Sequence, residues 1–369
     1  MTLIDLLSSF IKALGLPFLT SLFVVMLAMP SLIKVAKLKH LVDEPSEDRK
    51  VHRKRVPTIG GVMIFAGTIL AFSLWFPTND IGKAFGLKEA VHDFQYVIAS
   101  MFILFFVGTK DDIIGFSPTK KLIAHLLVGY ILVFLADFRI VSLHGIFGLV
   151  EPLPFWLSAG FSIFVYIVIV NAINLVDGVD GLAAGVGLIA CTAFAIWNFG
   201  IGHMPFAILA TSLGGALLGF LFFNFNPAKI FMGDSGSLTI GLIMYVLAVG
   251  MIEQKGIEGP ALLSNVSRPI LAMAILAYPL LDTIRVFTLR AIKGKSPFSA
   301  DSNHLHHHLL SLGLGHKKTV LVIYAFSLLI ILLTFVSPVH SPSLSLLLVG
   351  GTAFLLSQTL FLVKRIKGE

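Results

Sequence analysis

A single cysteine among 369 residues, Cys191 inside an apolar run, leaves nothing for an internal disulfide to close and reads as a small buried hydrophobe. Charge is scarce as well. Asp, Glu, Lys and Arg make up 13% of the chain, against about 25% in ordinary soluble domains. With 56% hydrophobic residues, that excludes a soluble globular domain. Met1 to Gly15 lacks the basic start and small-residue cleavage site of a removable signal, so the first apolar block is expected to stay as a helix. The chain also lacks tandem repeats, low-complexity tracts and linkers, which predicts one integral domain over residues 1–369. The net charge of +7 suits anionic lipid and phosphorylated substrates. Membrane lipids are therefore expected partners and nucleic acid is not.

What is abundant is apolar sequence in blocks of membrane-crossing length. Eleven spans are predicted, near residues 11–32, 60–76, 95–109, 121–137, 153–173, 181–199, 204–224, 237–252, 268–289, 318–337 and 343–363. The expected fold is all-α and polytopic, with about eleven transmembrane helices. An outside amino terminus leaves only Lys12, Lys83, Lys88, Arg139, Lys255 and Arg268 of the 27 Lys and Arg residues on the outer side. Basic residues favour the cytoplasmic side, so the carboxyl terminus is expected in the cytoplasm. Loops 37–58, 110–120, 174–181, 225–236 and 290–317 then share the inner face, and they hold nearly every polar motif.

The central motif is Asn171-Ala-Ile-Asn-Leu-Val-Asp-Gly-Val-Asp-Gly181, between two apolar runs. Carboxylates at a membrane edge are costly, and by default they suggest function. Asp177 and Asp180 share a face if helical, while Gly178 and Gly181 let a backbone or ligand come close. Upstream, Pro57-Thr-Ile-Gly-Gly61 opens a span, and a helix amino terminus near Arg and His favours phosphate. Asp111-Asp112 places two like charges side by side, which calls for an offsetting cation from Lys120, Lys121 or a metal. Phe231-Met-Gly-Asp234-Ser-Gly236 offers a ring for stacking and a hard carboxylate for a cation such as Mg²⁺. The last motif runs from Ser296 to Asp301 and on through His304-Leu-His-His-His308. Without cysteine, and with only His304 and His308 at i,i+4, imidazoles contacting phosphate fit this loop better than zinc. Asp282 and Arg285, inside the ninth span, read as a structural pair at i,i+3.

These five motifs, in this order, resemble the polyprenyl-phosphate N-acetylhexosamine-1-phosphate transferases. The resemblance covers nearly the whole chain. It implies an enzyme that moves a sugar-1-phosphate from a UDP-N-acetylhexosamine to undecaprenyl phosphate, releasing UMP at the cytoplasmic face of a bacterial inner membrane. By the same likeness, Asp234 helped by Asn174 holds Mg²⁺, with Mn²⁺ as a substitute. Asp111 is catalytic with Asp112 in support, Asp180 meets the uracil edge under a stacked Phe231, and Asp177 joins the polar shell. His304, His306 and His307, with His52, contact sugar or diphosphate. His308 is one imidazole more than the family pattern has, which leaves the division of roles among the histidines open. The histidine loop is similar to enzymes that begin O-antigen, common-antigen or teichoic-acid chains, with N-acetylglucosamine as donor sugar. The branch that takes UDP-MurNAc-pentapeptide is the alternative, and an anion transporter is the alternative from another class. The resemblance also allows a homodimer.

Overall fold

The computed structural model describes residues 11–43, 56–77, 87–254, 263, 265–294, 304–337 and 341–366. His52 and residues 296–301, singled out in the sequence, lie outside them. The chain is an all-helical membrane protein. Among the described residues eight helices are long and apolar enough to cross a membrane, or nine when one bent pair is a single span. Every one of the eleven apolar blocks coincides with helix.

In chain order the helices are α1 Leu16–Leu38, α2 Gly61–Leu74, α3 Leu87–Ile114, α4 Pro118–Tyr130 and α5 Phe155–Val176. They continue with α6 Leu182–Gly200, α7 Met204–Asn224, α8 Gly233–Glu253, α9 Arg268–Ile275 and α10 Ala277–Ile292. Three more close the chain: α11 Leu305–Ser311, α12 Gly315–Thr334 and α13 Pro342–Ile366. A two-residue antiparallel pair, Val42–Asp43 with Val56–Pro57, precedes α2.

Of the three blocks outside those eight, the one in α3 belongs to a helix of 28 residues, and the other two depart from a straight membrane crossing. Helix α2 has 14 residues, which at about 1.5 Å per residue falls short of a bilayer core of about 30 Å. The ninth block splits into α9 and α10, bent by 75°. Pro279 explains the break, because it has no N–H and its ring crowds the carbonyl four residues back, at Ile275.

Helix α8 is the axis of the bundle, with α2, α3, α5, α6, α7 and α9 all packed on it. It is buried along almost its whole length, as its apolar residues on every face require. The crossing with α2 is backbone on backbone. A Cβ on Gly61 would lie 2.0 Å from the Gly236 nitrogen, so neither helix can carry a side chain there.

Tertiary hydrogen bonds gather at the two ends of the bundle. At one end, Val141 N–H and the His144 ring both reach Glu253 Oε1 at 3.0 Å, and Phe147 N–H donates to Ser343 Oγ. The other end holds polar motifs of the sequence: residues 111–121, 174–181, 224–237 and 304–308 meet there.

Candidate active site

The site is built around the first turn of α8. Gly233, at φ +71°, lets the chain turn into the helix, and a Cβ there would lie 2.2 Å from the Thr58 carbonyl oxygen. Asp112, just past the apolar stretch of α3, then caps the turn. Its Oδ1 accepts from Asp234 N–H at 2.7 Å, and its Oδ2 accepts from Ser235 N–H at 3.1 Å and Ser235 Oγ at 2.7 Å. A side chain 122 residues away therefore serves as the helix cap that satisfies otherwise unpaired N–H groups. The resemblance had placed Asp112 in support of a catalytic Asp111. Here both its oxygens are engaged in holding Asp234 in place.

Asp234 faces inward from that turn. Its Oδ1 accepts from Asn174 Nδ2 at 2.8 Å, and Asn174 also donates to Ser237 Oγ at 2.8 Å. Its Oδ2 takes the Lys121 ammonium, which also reaches Asp111 Oδ2 at 3.2 Å. Lys121, in the first turn of α4, is thus the cation that the Asp111-Asp112 pair called for. Burial, with Asp234 nearby, raises the Asp111 carboxyl above the usual range, and Lys121 works against that rise. Asp177, at the end of α5, is raised well above its usual range by burial, then by Asp234 and Asp112, with the Gly233 backbone opposing. Two carboxylates, Asp111 and Asp234, therefore share one ammonium, while Asp112 and Asp177 act on Asp234.

The neighbouring loops are tied by Asp180, which the sequence singled out, and by Asn224 and Tyr324, which it did not. Asp180 is 4% exposed, and its Oδ2 accepts from Asn226 Nδ2 at 2.9 Å and Ala228 N–H at 3.0 Å. Asn224 bridges the same loops, accepting from Gly181 N–H and donating to the Ile230 carbonyl. Tyr324 Oη donates to the Gly181 carbonyl at 2.5 Å. Phe231 is half-buried, and its backbone pairs with Pro57 and Gly60.

One expectation needs correcting here. Gly60 and Gly61 N–H groups donate to the Phe231 and Met232 carbonyls, so they do not offer phosphate an open helix end. Their lack of side chains serves close packing instead, Gly61 against Gly236 of α8 and Gly60 against Phe220 of α7 and the Phe231 carbonyl. A second correction concerns α10. Asp282 accepts from the His304 ring and from Leu305 N–H, and Arg285 lies 3.4 Å from His308, where an i,i+3 pair had been expected.

The histidines form a cluster against the Asp177-Gly178 loop. The His304 and His306 rings stack with centroids 5.3 Å apart, and His307 lies 4.4 Å from His306. A Cβ on Gly178 would meet His306 Nε2 at 3.1 Å. Burial lowers the His306 ring to about 3, so it is neutral at physiological pH. Among the described residues no group of three or more His, Cys, Asp or Glu side chains is arranged to hold a metal ion by itself.

Comparison with known proteins decides the family. The family model described as glycosyl transferase family 4 matches residues 94–252, which span α3 to α8. The chain is 34% identical over 315 residues to a probable undecaprenyl-phosphate N-acetylglucosaminyl 1-phosphate transferase of Bacillus subtilis, covering 83% of this chain and 80% of that protein. The chain belongs to glycosyl transferase family 4. Family 4 relatives also include the decaprenyl-phosphate N-acetylglucosaminephosphotransferase of Mycobacterium tuberculosis, 32% identical over 85% of this chain and 80% of that protein. The undecaprenyl-phosphate alpha-N-acetylglucosaminyl 1-phosphate transferase of Escherichia coli K12 is 28% identical over 80% and 76%. This member is accordingly a multi-pass membrane phospho-sugar transferase, and the carboxylate cluster lies within the matched region or next to it.

The cap at α8 has a pH signature. Burial, the largest influence, raises Asp112 to about 6, although its three hydrogen bonds to Asp234 and Ser235 pull the other way. Between the unfolded value near 3.8 and about 6, the folded state holds more protons. Stability from this group therefore rises as pH falls through that window and declines as pH climbs through it. Activity should move in the opposite sense, because protonation weakens the cap that positions Asp234. The expected result is an acid limb near pH 6 with no accompanying unfolding. Asp112→Asn should lower the plateau and flatten that limb. A pH–rate profile alongside thermal melts in detergent checks both.

Proposed function

We propose that this family 4 member transfers N-acetylhexosamine-1-phosphate, with N-acetylglucosamine as the sugar, from a UDP-sugar to undecaprenyl phosphate. UMP leaves, and the lipid diphosphate-sugar starts a cell-envelope polysaccharide of the O-antigen or teichoic-acid kind. The reading places the protein in a bacterial inner membrane with the α8 amino-terminal end facing the cytoplasm, where UDP-sugars are found. The observation that carries it is the Lys121 ammonium held between Asp111 and Asp234 on the capped turn of α8. Further support comes from the names of the relatives, which pair a polyprenyl phosphate with an N-acetylglucosamine phosphate.

The donor set suits Mg²⁺, with Mn²⁺ as a substitute: hard oxygens from few protein carboxylates, to be completed by substrate phosphates. Asp234 would hold the ion, steadied by Asn174, and Asp111 is within reach of the same ammonium. When bound, the ion neutralises diphosphate charge and eases departure of UMP. Lys121 contributes positive charge where negative charge develops on the transferring phosphoryl group. Asp111 orients the lipid phosphate and takes its proton where the monoester arrives protonated. A lipid phosphate oxygen then attacks the β-phosphorus directly as the bond to UMP breaks, which needs no covalent group from the protein. Phe231 supplies a face for the uracil, and Asp180 steadies the loop beside it. Asp177 completes the polar wall.

The test is UMP release by purified protein with undecaprenyl phosphate, Mg²⁺ and a panel of UDP-sugars. Release with UDP-N-acetylglucosamine supports the reading. Release with UDP-MurNAc-pentapeptide alone would move the protein to peptidoglycan synthesis.

A further inference from the structure

Asp282 is a carboxylate in the wall of the bundle that the transfer chemistry leaves unused. It is 1% exposed and sits on α10, just past the bend with α9. One oxygen lies 2.8 Å from His304 Nδ1, and the other accepts from Leu305 N–H at 2.7 Å, at the start of α11. A carboxylate only accepts hydrogen bonds, so Nδ1 must carry the proton. A neutral His304 therefore keeps its Nε2 lone pair as an acceptor, and a protonated one presents Nε2–H. The ring is also fixed in orientation. It stacks within 7° of parallel on His306, which abuts Gly178 in the loop carrying Asp177 and Asp180.

We infer that Asp282 is a positioning residue for the transfer reaction, setting the tautomer and orientation of His304 and, through ring stacking, the seat of His306 beside the diphosphate. This rests on the reading of the site as a UDP-sugar phosphotransferase. The logic is that of a carboxylate behind a catalytic or ligating imidazole, where removing the partner typically costs about 10- to 100-fold. It also explains why a carboxylate is retained within a membrane-spanning helix, where it is costly unless engaged. Arg285, one turn on, reaches His308, so α10 grips the histidine loop at two points.

Asp282→Asn is the informative substitution. Its amide oxygen can still accept from Leu305 N–H and cap α11, while its amide N–H turned to His304 Nδ1 would invert the tautomer. Turnover should fall about 10- to 100-fold, with KM for the UDP-sugar changed by less than about threefold. In a His304→Gln background the same change should cost little more, because the two residues act as one unit. Nitrogen NMR of labelled histidine, assigned by difference against His304→Gln, should give an Nδ1-protonated ring in the native protein and an Nε2-protonated one in Asp282→Asn. Losses that simply multiply in the double variant would leave Asp282 a purely structural cap and overturn the inference, as would an unchanged tautomer. Native protein that turns over normally while these couplings are absent would remove this role alone. Native protein without turnover on any donor would remove the transferase reading and this role with it.

Discussion

Replacing Lys121 with Met should reduce UMP release by about a thousandfold, the upper range for removing one charge-stabilising donor from an active site. The side chain links Asp111 and Asp234 in the described structure, and no other ion pair to either is present among the described residues. Methionine keeps the length and apolar stem of lysine but leaves Asp111, Asp177 and Asp234 facing one another without an ammonium. Two consequences follow from that geometry. The phosphoryl group loses a fixed positive charge, and the carboxylates repel at a place where Asp177 is already pushed strongly towards its protonated form. Lys121→Arg should recover part of the activity, because it restores charge with altered geometry. Saturating kinetics on both variants check this, and a Lys121→Met enzyme within tenfold of native would contradict it.

Asp111→Asn should lose turnover by about a hundredfold or more, the range that a positioned acid or base contributes. The substitution keeps shape and hydrogen-bonding capacity while removing charge and basicity. Binding of the UDP-sugar should change far less, because the residues assigned to the uracil and diphosphate lie on other loops. Separate measurements of kcat and of nucleotide-sugar affinity distinguish the two effects. Unchanged UMP release by this variant would sink the role given to Asp111.

Much of this was legible in the sequence because it is written locally. Apolar blocks fix where helices run, and all eleven blocks are helical. The described parts of the five polar motifs fall at one end of the bundle because each sits at the junction between an apolar block and a loop. What could not be read is partner choice over long separations. Asp112 looks like half of an acidic pair until α3 is packed on α8, when its oxygens meet Asp234 and Ser235. Lys120 and Lys121 are equivalent by spacing, and only the rotation of α4 selects Lys121. Asp282 seemed to belong with Arg285 at i,i+3, yet its partners are His304 and Leu305, more than 20 residues away. A signal was available there, since a carboxylate inside an apolar span is itself a reason to look for a function. The glycines before α2 were misjudged for a related reason. A helix amino terminus binds phosphate only when its N–H groups are free, and the 231–232 segment takes them.

The most direct test is a donor radiolabelled at the β-phosphorus of UDP-N-acetylglucosamine, incubated with the purified protein, undecaprenyl phosphate and Mg²⁺. The expected result is label in the organic-phase lipid, with UMP in equal amount in the aqueous phase and both signals lost in Lys121→Met. Sugar on the lipid with the label left behind in UDP would mean glycosyl transfer without the phosphate. That outcome would contradict the chemistry assigned to the Asp111, Lys121 and Asp234 cluster.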